Sequence, residues 1–150
     1  ELDEAFDELD KLQVGSPAPY FEMEGYFKGE FKKFSPEDCK GKWTMLFFYP
    51  LDFTFVCPTE LIELNKRISD FEKLGVQVYG VSVDSVHSHK AWAKEMGDFN
   101  YPLLSDMNKM ASLDYGVLLQ EEGIALRGTF IVDDKGILQS STINNLPVGR

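Results

Sequence analysis

The sequence predicts an α/β fold in which a mixed sheet carries helices on both faces. Residues 43–49 form an apolar run of strand length without alternation, which is typical of a strand covered on both faces. Helical and strand-like patterns then alternate along the chain, as they do where helices join parallel strands. The 150 residues suffice for a core, so we expect residues 1–150 to form a single domain.

The first elements are predicted to be a β-hairpin and a short helical turn. Residues 18–34 carry aromatic side chains on either side of Lys28 and Gly29, which supply a turn. Ser35 and Pro36 match a helix cap and a first helical residue. We therefore expect an N-terminal hairpin that leads, through this turn, into the apolar strand.

The next segment, residues 57–71, is predicted to be an amphipathic helix. Pro58 lies near its start, and Gly75 lies just beyond its end. Apolar residues recur at helical spacing within it: Leu61, Leu64, Ile68 and Phe71.

The remaining patterns complete the order of elements. They predict a strand at residues 76–83, a helix at 88–96, a short strand at 103–104, a helical turn at 109–113, and strands at 127–132 and 137–142. The last two strands are joined by a loop that contains Gly136. A hairpin, a β-α-β-α unit and a second hairpin together predict a mixed sheet of the thioredoxin type.

The composition excludes some classes of partner. The formal net charge is −10, and such a surface repels phosphate backbones and anionic lipids, so we expect neither nucleic acid nor membrane partners. Residues 1–10 are acidic and lack the order of a signal peptide. With only 2 cysteines no disulfide framework is expected, and a reducing, cytoplasmic location is favoured.

The strongest chemical signal is Cys57, which lies where the central strand has ended and the amphipathic helix begins. Ligand sites of open α/β sheets lie outside the carboxyl ends of strands. The first turn of a helix also presents free N–H groups and the positive end of the helix dipole. Both effects favour a thiolate, which is the nucleophilic form of cysteine. A structural, buried cysteine is the alternative interpretation.

Neighbouring residues fit a site built around that thiolate. In a tight turn, the hydroxyl of Thr54 could reach the sulfur or a bound oxygen. Pro50 would supply a rigid apolar wall. Arg127 opens a later strand that we expect at the same end of the sheet, where its charge would stabilise a thiolate and a departing oxygen.

The chain resembles the typical two-cysteine peroxiredoxins. Pro50, Thr54 and Cys57 match the motif Pro-x-x-x-Thr-x-x-Cys, and residues 48–61, 127–133 and 146–150 resemble the same branch. The resemblance implies that Cys57 attacks the O–O bond of a peroxide and becomes a sulfenic acid. It implies that Thr54 and Arg127 activate the peroxide while Pro50 shields the pocket.

The resemblance also implies a supporting network and a set of partners. Glu60 would hold the active-site arginine, and Arg150 would join the same network. The substrates would be hydrogen peroxide and alkyl hydroperoxides, and the reductant would be thioredoxin or a flavoprotein. The protein would form a homodimer, built into a ring of five dimers, and would need neither a cofactor nor a metal.

The match departs from the branch in two places. The branch carries a resolving cysteine near its C-terminus, and Cys39 is a poor substitute for it. We expect a chain truncated before that cysteine and before the last helix; a natural one-cysteine enzyme is the alternative. The Gly-Gly-Leu-Gly insert of easily over-oxidised members is absent from residues 93–104, which implies a robust form.

Other interpretations remain open for the whole chain and for single residues. A disulfide reductase would need Cys-x-x-Cys, but Glu60 stands where its second cysteine should be. A non-enzymatic holdase is a further alternative. His87 and His89 are expected to be solvated polar residues and not metal ligands. Cys39 is expected at a surface or turn, whereas Trp43 and Trp92 are expected in the core or near the active site.

Overall fold

The computed structural model describes residues 12–52 and 56–146, with the backbone alone at 56–58. The acidic residues 1–10 therefore lie outside the described part. The strands are β1 (Met23–Phe27), β2 (Glu30–Phe34), β3 (Trp43–Phe48), β4 (Val76–Ser82), β5 (Leu103–Ser105), β6 (Leu118–Leu119), β7 (Ile124–Ala125), β8 (Arg127–Val132) and β9 (Leu138–Asn144). The helices are α1 (Val56–Lys66), α2 (Ile68–Lys73), α3 (Val86–Glu95) and α4 (Met110–Asp114), with a 3-10 helix at Pro36–Cys39.

Seven of these strands form one mixed sheet in the order β2-β1-β5-β4-β3-β8-β9. Strands β3, β4 and β5 run parallel, while β1 and β8 join them antiparallel. The hairpin β1–β2 lies at one edge and β8–β9 at the other. The predicted α/β fold with an N-terminal hairpin is confirmed.

The central position of β3 explains its composition. Its last five residues are all buried, since one apolar cluster covers each face of the sheet. Leu46 and Phe48 face the first cluster, and Met45 and Phe47 face the second. The lack of alternation in the sequence is thus a direct consequence of burial on both faces.

Helices pack on both sides of this sheet, as predicted. Leu61 of α1, Ile68 of α2 and Trp92 of α3 belong to the cluster on one face. Ala111 of α4 belongs to the cluster on the other face. The sheet and its two clusters form the frame that positions the site.

Several predicted elements differ from the observed ones. The helix expected over residues 57–71 is divided at Arg67, whose N–H bonds to the carbonyl of Leu64 in a 3-10 manner at 3.1 Å. The apolar stripe continues across this break, so periodicity reported the buried face and missed the interruption. The predicted start of α3 at Ser88 was wrong by two residues, because Ser85 is the cap and accepts from the Ser88 N–H at 3.2 Å.

The core assignment also needs correction at Trp43, and one small hairpin was not predicted. Trp43 is 41% exposed, since it is the first residue of β3 and lies at the end of the sheet. Trp92 is fully buried, as expected for a core residue. Strands β6 and β7 pair as a separate two-stranded sheet.

Candidate active site at the carboxyl edge of the sheet

The site lies at the edge where the carboxyl ends of the parallel strands meet. The chain leaves β3 after Phe48 and enters α1 at Val56, so α1 begins at this edge. Strand β8 runs antiparallel to β3 and pairs Gly128 with Phe48. Because Arg127 precedes Gly128, the first residue of β8 lies at the same edge as the start of α1. Ligand sites of open α/β sheets occupy this edge.

Arg127 forms a buried ion pair with α1. Its Nη1 lies 2.6 Å from Oε1 of Glu60, and the two side chains are 5% and 10% exposed. Its Nε donates to the carbonyl of Leu146 at 2.8 Å. The carboxylate and the carbonyl fix the plane of the guanidinium, which a single contact could not do. The contact between Glu60 and Arg127 that the resemblance implies is therefore present.

The ion pair brings a positive charge to the first turns of α1. Cys57 is the second residue of α1 and precedes Glu60 by three positions, and positions three apart share one face of a helix. The side chain of Cys57 lies outside the described residues, as do Thr54 and Arg150. Pro50 is buried directly after β3, where it can form a wall of the site.

A buried polar network fixes the segment that leaves β3. Oδ1 of Asp52 accepts from the Tyr49 hydroxyl at 2.6 Å, and Oδ2 accepts from the Ser88 hydroxyl at 2.9 Å. Nδ1 of His89 lies 2.8 Å from the same Oδ2. The network thus ties the segment after β3 to the first turns of α3.

The surroundings of His89 define its protonation. Its Nε2 lies 2.9 Å from the carbonyl oxygen of Leu104, which can only accept, so Nε2 carries a proton. The Tyr49 and Ser88 hydroxyls already donate to Asp52, and such bonds favour the charged carboxylate. The proton between Asp52 and His89 therefore belongs to the imidazole. The result is a buried imidazolium–carboxylate pair.

A second carboxylate, Asp84, holds the main chain of the same segment. Its Oδ2 accepts from the N–H of Asp52 at 2.8 Å and from the Ser82 hydroxyl at 2.7 Å. Burial, and then the negative charge of Asp52, raises the pKa of Asp84 above its ordinary value. Burial raises the pKa of Tyr49 even further, with the Asp52 charge second. Tyr49 therefore acts as a neutral donor.

Sequence reasoning missed this network and was wrong about His89. The expectation of a solvated histidine fails because His89 is 0% exposed. A signal was present, since His89 lies at helical spacing with three residues that are also buried on α3: Val86, Trp92 and Ala93. The partner, Asp52, is distant in sequence and only the fold brings it close.

Cys39 is also more buried than expected. It ends the 3-10 helix, as a turn residue would, but it is only 4% exposed and belongs to the core. Its Sγ lies 3.1 Å from the hydroxyl of Tyr79, whose pKa is raised by burial first and by this contact second. The expected surface position was wrong.

The described residues offer no metal centre and no membrane anchor. Within residues 12–52 and 56–146, no three or more His, Cys, Asp or Glu side chains are grouped to hold a metal ion. None of the helices in this part of the chain has the length and apolar character that crossing a bilayer requires.

The chain is similar over most of its length to known proteins. Residues 14–141 match the model of the AhpC/TSA family. The chain is 54% identical over 144 residues to Peroxiredoxin-2 of Pongo abelii, covering 92% of this chain and 81% of that protein. It is 55% identical to the chloroplastic 2-Cys peroxiredoxin BAS1 of Spinacia oleracea, with 91% of this chain covered. It spans about half of the length of the spinach relative, 54%.

Solved structures agree with the observed architecture. The crystal structure of the reduced 2-Cys peroxiredoxin of Plasmodium vivax aligns with a TM-score of 0.89 at 40% identity, covering 93% of this chain and 76% of that chain. The crystal structure of Enterococcus faecalis AhpC aligns with a TM-score of 0.87 at 41% identity, covering 91% and 84% of the two chains. The predicted thioredoxin-like fold is thereby confirmed.

Proposed function

Because the chain belongs to the AhpC/TSA family, we propose that it is a thiol-dependent peroxidase in which Cys57 is the nucleophile. The observation that carries the proposal is the buried Arg127–Glu60 pair, which holds a guanidinium against the helix in whose first turn Cys57 lies. A fixed positive charge at that point favours a thiolate over a thiol. It also stabilises negative charge that develops on a departing oxygen.

The reaction follows from the chemistry of a thiolate and a peroxide. The sulfur of Cys57 attacks one oxygen of the O–O bond and forms an S–O bond while the O–O bond breaks. The other oxygen leaves with the electron pair, takes up a proton and departs as water or an alcohol. Cys57 becomes a sulfenic acid, the first step of cysteine oxidation.

The other residues of the motif have supporting roles in this proposal. Thr54 would donate to the peroxide and hold it in line with the sulfur, and Pro50 would keep water out of the pocket. Arg127 would bind the departing oxygen, with Glu60 fixing its orientation and Arg150 joining the network. Preorganised donors of this kind are effective because they need no rearrangement as the charge develops.

The cycle needs an external reductant. A thiol must attack the sulfenic acid, release water and form a disulfide, which thioredoxin or a flavoprotein then reduces. In the two-cysteine mode the resolving thiol would come from the partner subunit of a homodimer, and five dimers would form a ring. Hydrogen peroxide and small alkyl hydroperoxides are the proposed substrates.

A peroxide-consumption assay on the intact protein tests the proposal. Cys57→Ser should abolish consumption with a thiol reductant present, because a hydroxyl lacks the nucleophilic thiolate. Cys39→Ser is the matched control and should retain consumption. Unchanged turnover in Cys57→Ser would refute the proposed role of Cys57.

A further inference from the structure

The segment that leads from β3 to Cys57 is anchored through its main chain as well as its side chains. Asp52 lies five positions before Cys57. Its carboxylate accepts from groups of α3, but its own N–H donates to Asp84 at 2.8 Å. Side-chain contacts fix a carboxylate and leave the backbone free to rotate. The bond to Asp84 acts on the peptide itself, so it fixes the direction in which the chain leaves.

Asp84 is itself held in place, which makes it a rigid anchor. The Ser82 hydroxyl donates to its Oδ2 at 2.7 Å, and the Ser105 hydroxyl donates to its carbonyl at 2.6 Å. Ser82 ends β4 and Ser105 ends β5. The acceptor offered to Asp52 is therefore fixed by the ends of two parallel strands, before any substrate is present.

The far end of the same segment is anchored with similar care. The Tyr101 hydroxyl donates to the carbonyl of Leu61 at 3.0 Å, and Arg127 holds Glu60. Both groups act on α1 just after Cys57. The start of the segment at Asp52 and its end on α1 are thus both fixed by buried polar groups.

From these contacts we infer that Asp84 is a positioning residue for the peroxide reaction, acting through the main chain at Asp52. The inference rests on the proposed function, since it assigns Asp84 a part in the reactivity of Cys57. Asp84 does not touch the substrate; it fixes the point from which the chain approaches the nucleophile. Small misplacements of reacting groups are costly in rate, and this is the contribution that an anchor prevents.

The test compares two substitutions at one position. Asp84→Ala removes the acceptor, whereas Asp84→Asn keeps an acceptor oxygen and removes only the charge. We expect Asp84→Ala to lower the second-order rate constant of Cys57 with hydrogen peroxide on the order of tenfold. Asp84→Asn should react several-fold faster than Asp84→Ala. Hydrogen exchange at the Asp52 amide should be slow in the wild type and in Asp84→Asn, and fast in Asp84→Ala.

A matched control comes from Asp133, which also accepts main-chain N–H groups. Its Oδ1 accepts from Lys135 and Ile137, both at 2.9 Å, in the loop between β8 and β9. Asp133→Ala removes a comparable anchor elsewhere and should leave the rate constant unchanged. If Asp84→Ala does not fold, Ser82→Ala removes the hydroxyl that fixes Asp84 and should slow the reaction in the same direction.

The outcomes separate the inference from the proposed function. A wild-type protein that does not react with peroxide would overturn the proposed function, and the inference with it. A reactive wild type with an equally fast Asp84→Ala variant would overturn the inference alone. Equal slowing in both Asp84 variants, with a protected Asp52 amide in each, would also overturn it, because charge and not position would then matter.

Discussion

Nδ1 of His89 lies 2.8 Å from Oδ2 of Asp52, and neither side chain is exposed to solvent. The pair joins the segment after β3 to α3, and the carbonyl of Leu104 on β5 completes it. Three elements that are far apart in sequence therefore meet at one buried charge pair. Such pairs are costly to break, because removing one partner leaves the other charged and unpaired.

We predict that both ring nitrogens of His89 carry protons at neutral pH. Nitrogen-15 NMR of the intact protein checks this, since imidazolium and neutral imidazole differ in their nitrogen shifts. In Asp52→Asn, the introduced amide can donate to Nδ1, so His89 should become neutral with its proton on Nε2. The exposed His87 serves as an internal reference. A neutral imidazole spectrum for His89 in the wild type would contradict the prediction.

We predict that the ion pair between Arg127 and Glu60 supports both stability and reactivity. Glu60→Ala leaves a buried guanidinium without this carboxylate and should cost about 3–5 kcal/mol of the free energy of unfolding. Glu60→Gln retains an acceptor oxygen and should cost less. Urea denaturation measures the first effect and peroxide kinetics the second. The surface pair Arg67–Glu63 is the control, and Glu63→Ala should cost well under about 1 kcal/mol.

We predict that Asp84 makes the protein less stable as pH rises out of the acid range. Its pKa is raised in the folded state above 3.8, so the folded protein keeps a proton that the unfolded chain has released. The contribution of Asp84 to stability is therefore fully present below 3.8 and is lost as pH rises through the folded-state pKa. Asp84→Asn should be more stable than the wild type at neutral pH, with the gain disappearing in acid. Thermal unfolding at several pH values measures the difference.

The opposite sign is expected at Asp133. Hydrogen bonds, first from the Ile137 N–H, lower its pKa in the folded state below 3.8. Its contribution is present above 3.8 and is lost as pH falls through the folded-state pKa. Asp133→Asn should therefore lose stability at neutral pH and match the wild type in strong acid. The same direction of change for both substitutions would show that one of these signs is wrong.

We predict that Cys39 is protected from thiol reagents in the folded protein. It is 4% exposed and its sulfur contacts the Tyr79 hydroxyl, so a bulky reagent cannot approach it. A chromogenic disulfide should modify one thiol in the native state and two after denaturation. Cys57→Ser should then show no fast reaction under native conditions. Rapid modification of Cys39 in that variant would refute the prediction.

Much of the fold could be predicted from local patterns. The apolar run at β3, the spacing along α1 and the Asp-Asp-Lys-Gly loop before β9 each carry their information in consecutive residues. The break at Arg67 could not be predicted in this way, because the apolar stripe continues across it. The exposure of Trp43 was also hidden, because it depends on where β3 ends within the sheet.

The sequence by itself determined the class of fold, the position of Cys57 at the start of a helix and the motif that Cys57 shares with Pro50 and Thr54. These features depend on spacing along the chain, which a sequence states directly. Only the tertiary structure decided that Glu60 meets Arg127, that Asp52 meets His89 and that Asp84 holds the main chain at Asp52. The physical reason is that these partners lie 32 to 67 residues apart, and the packing of the sheet edge alone brings them within hydrogen-bonding distance.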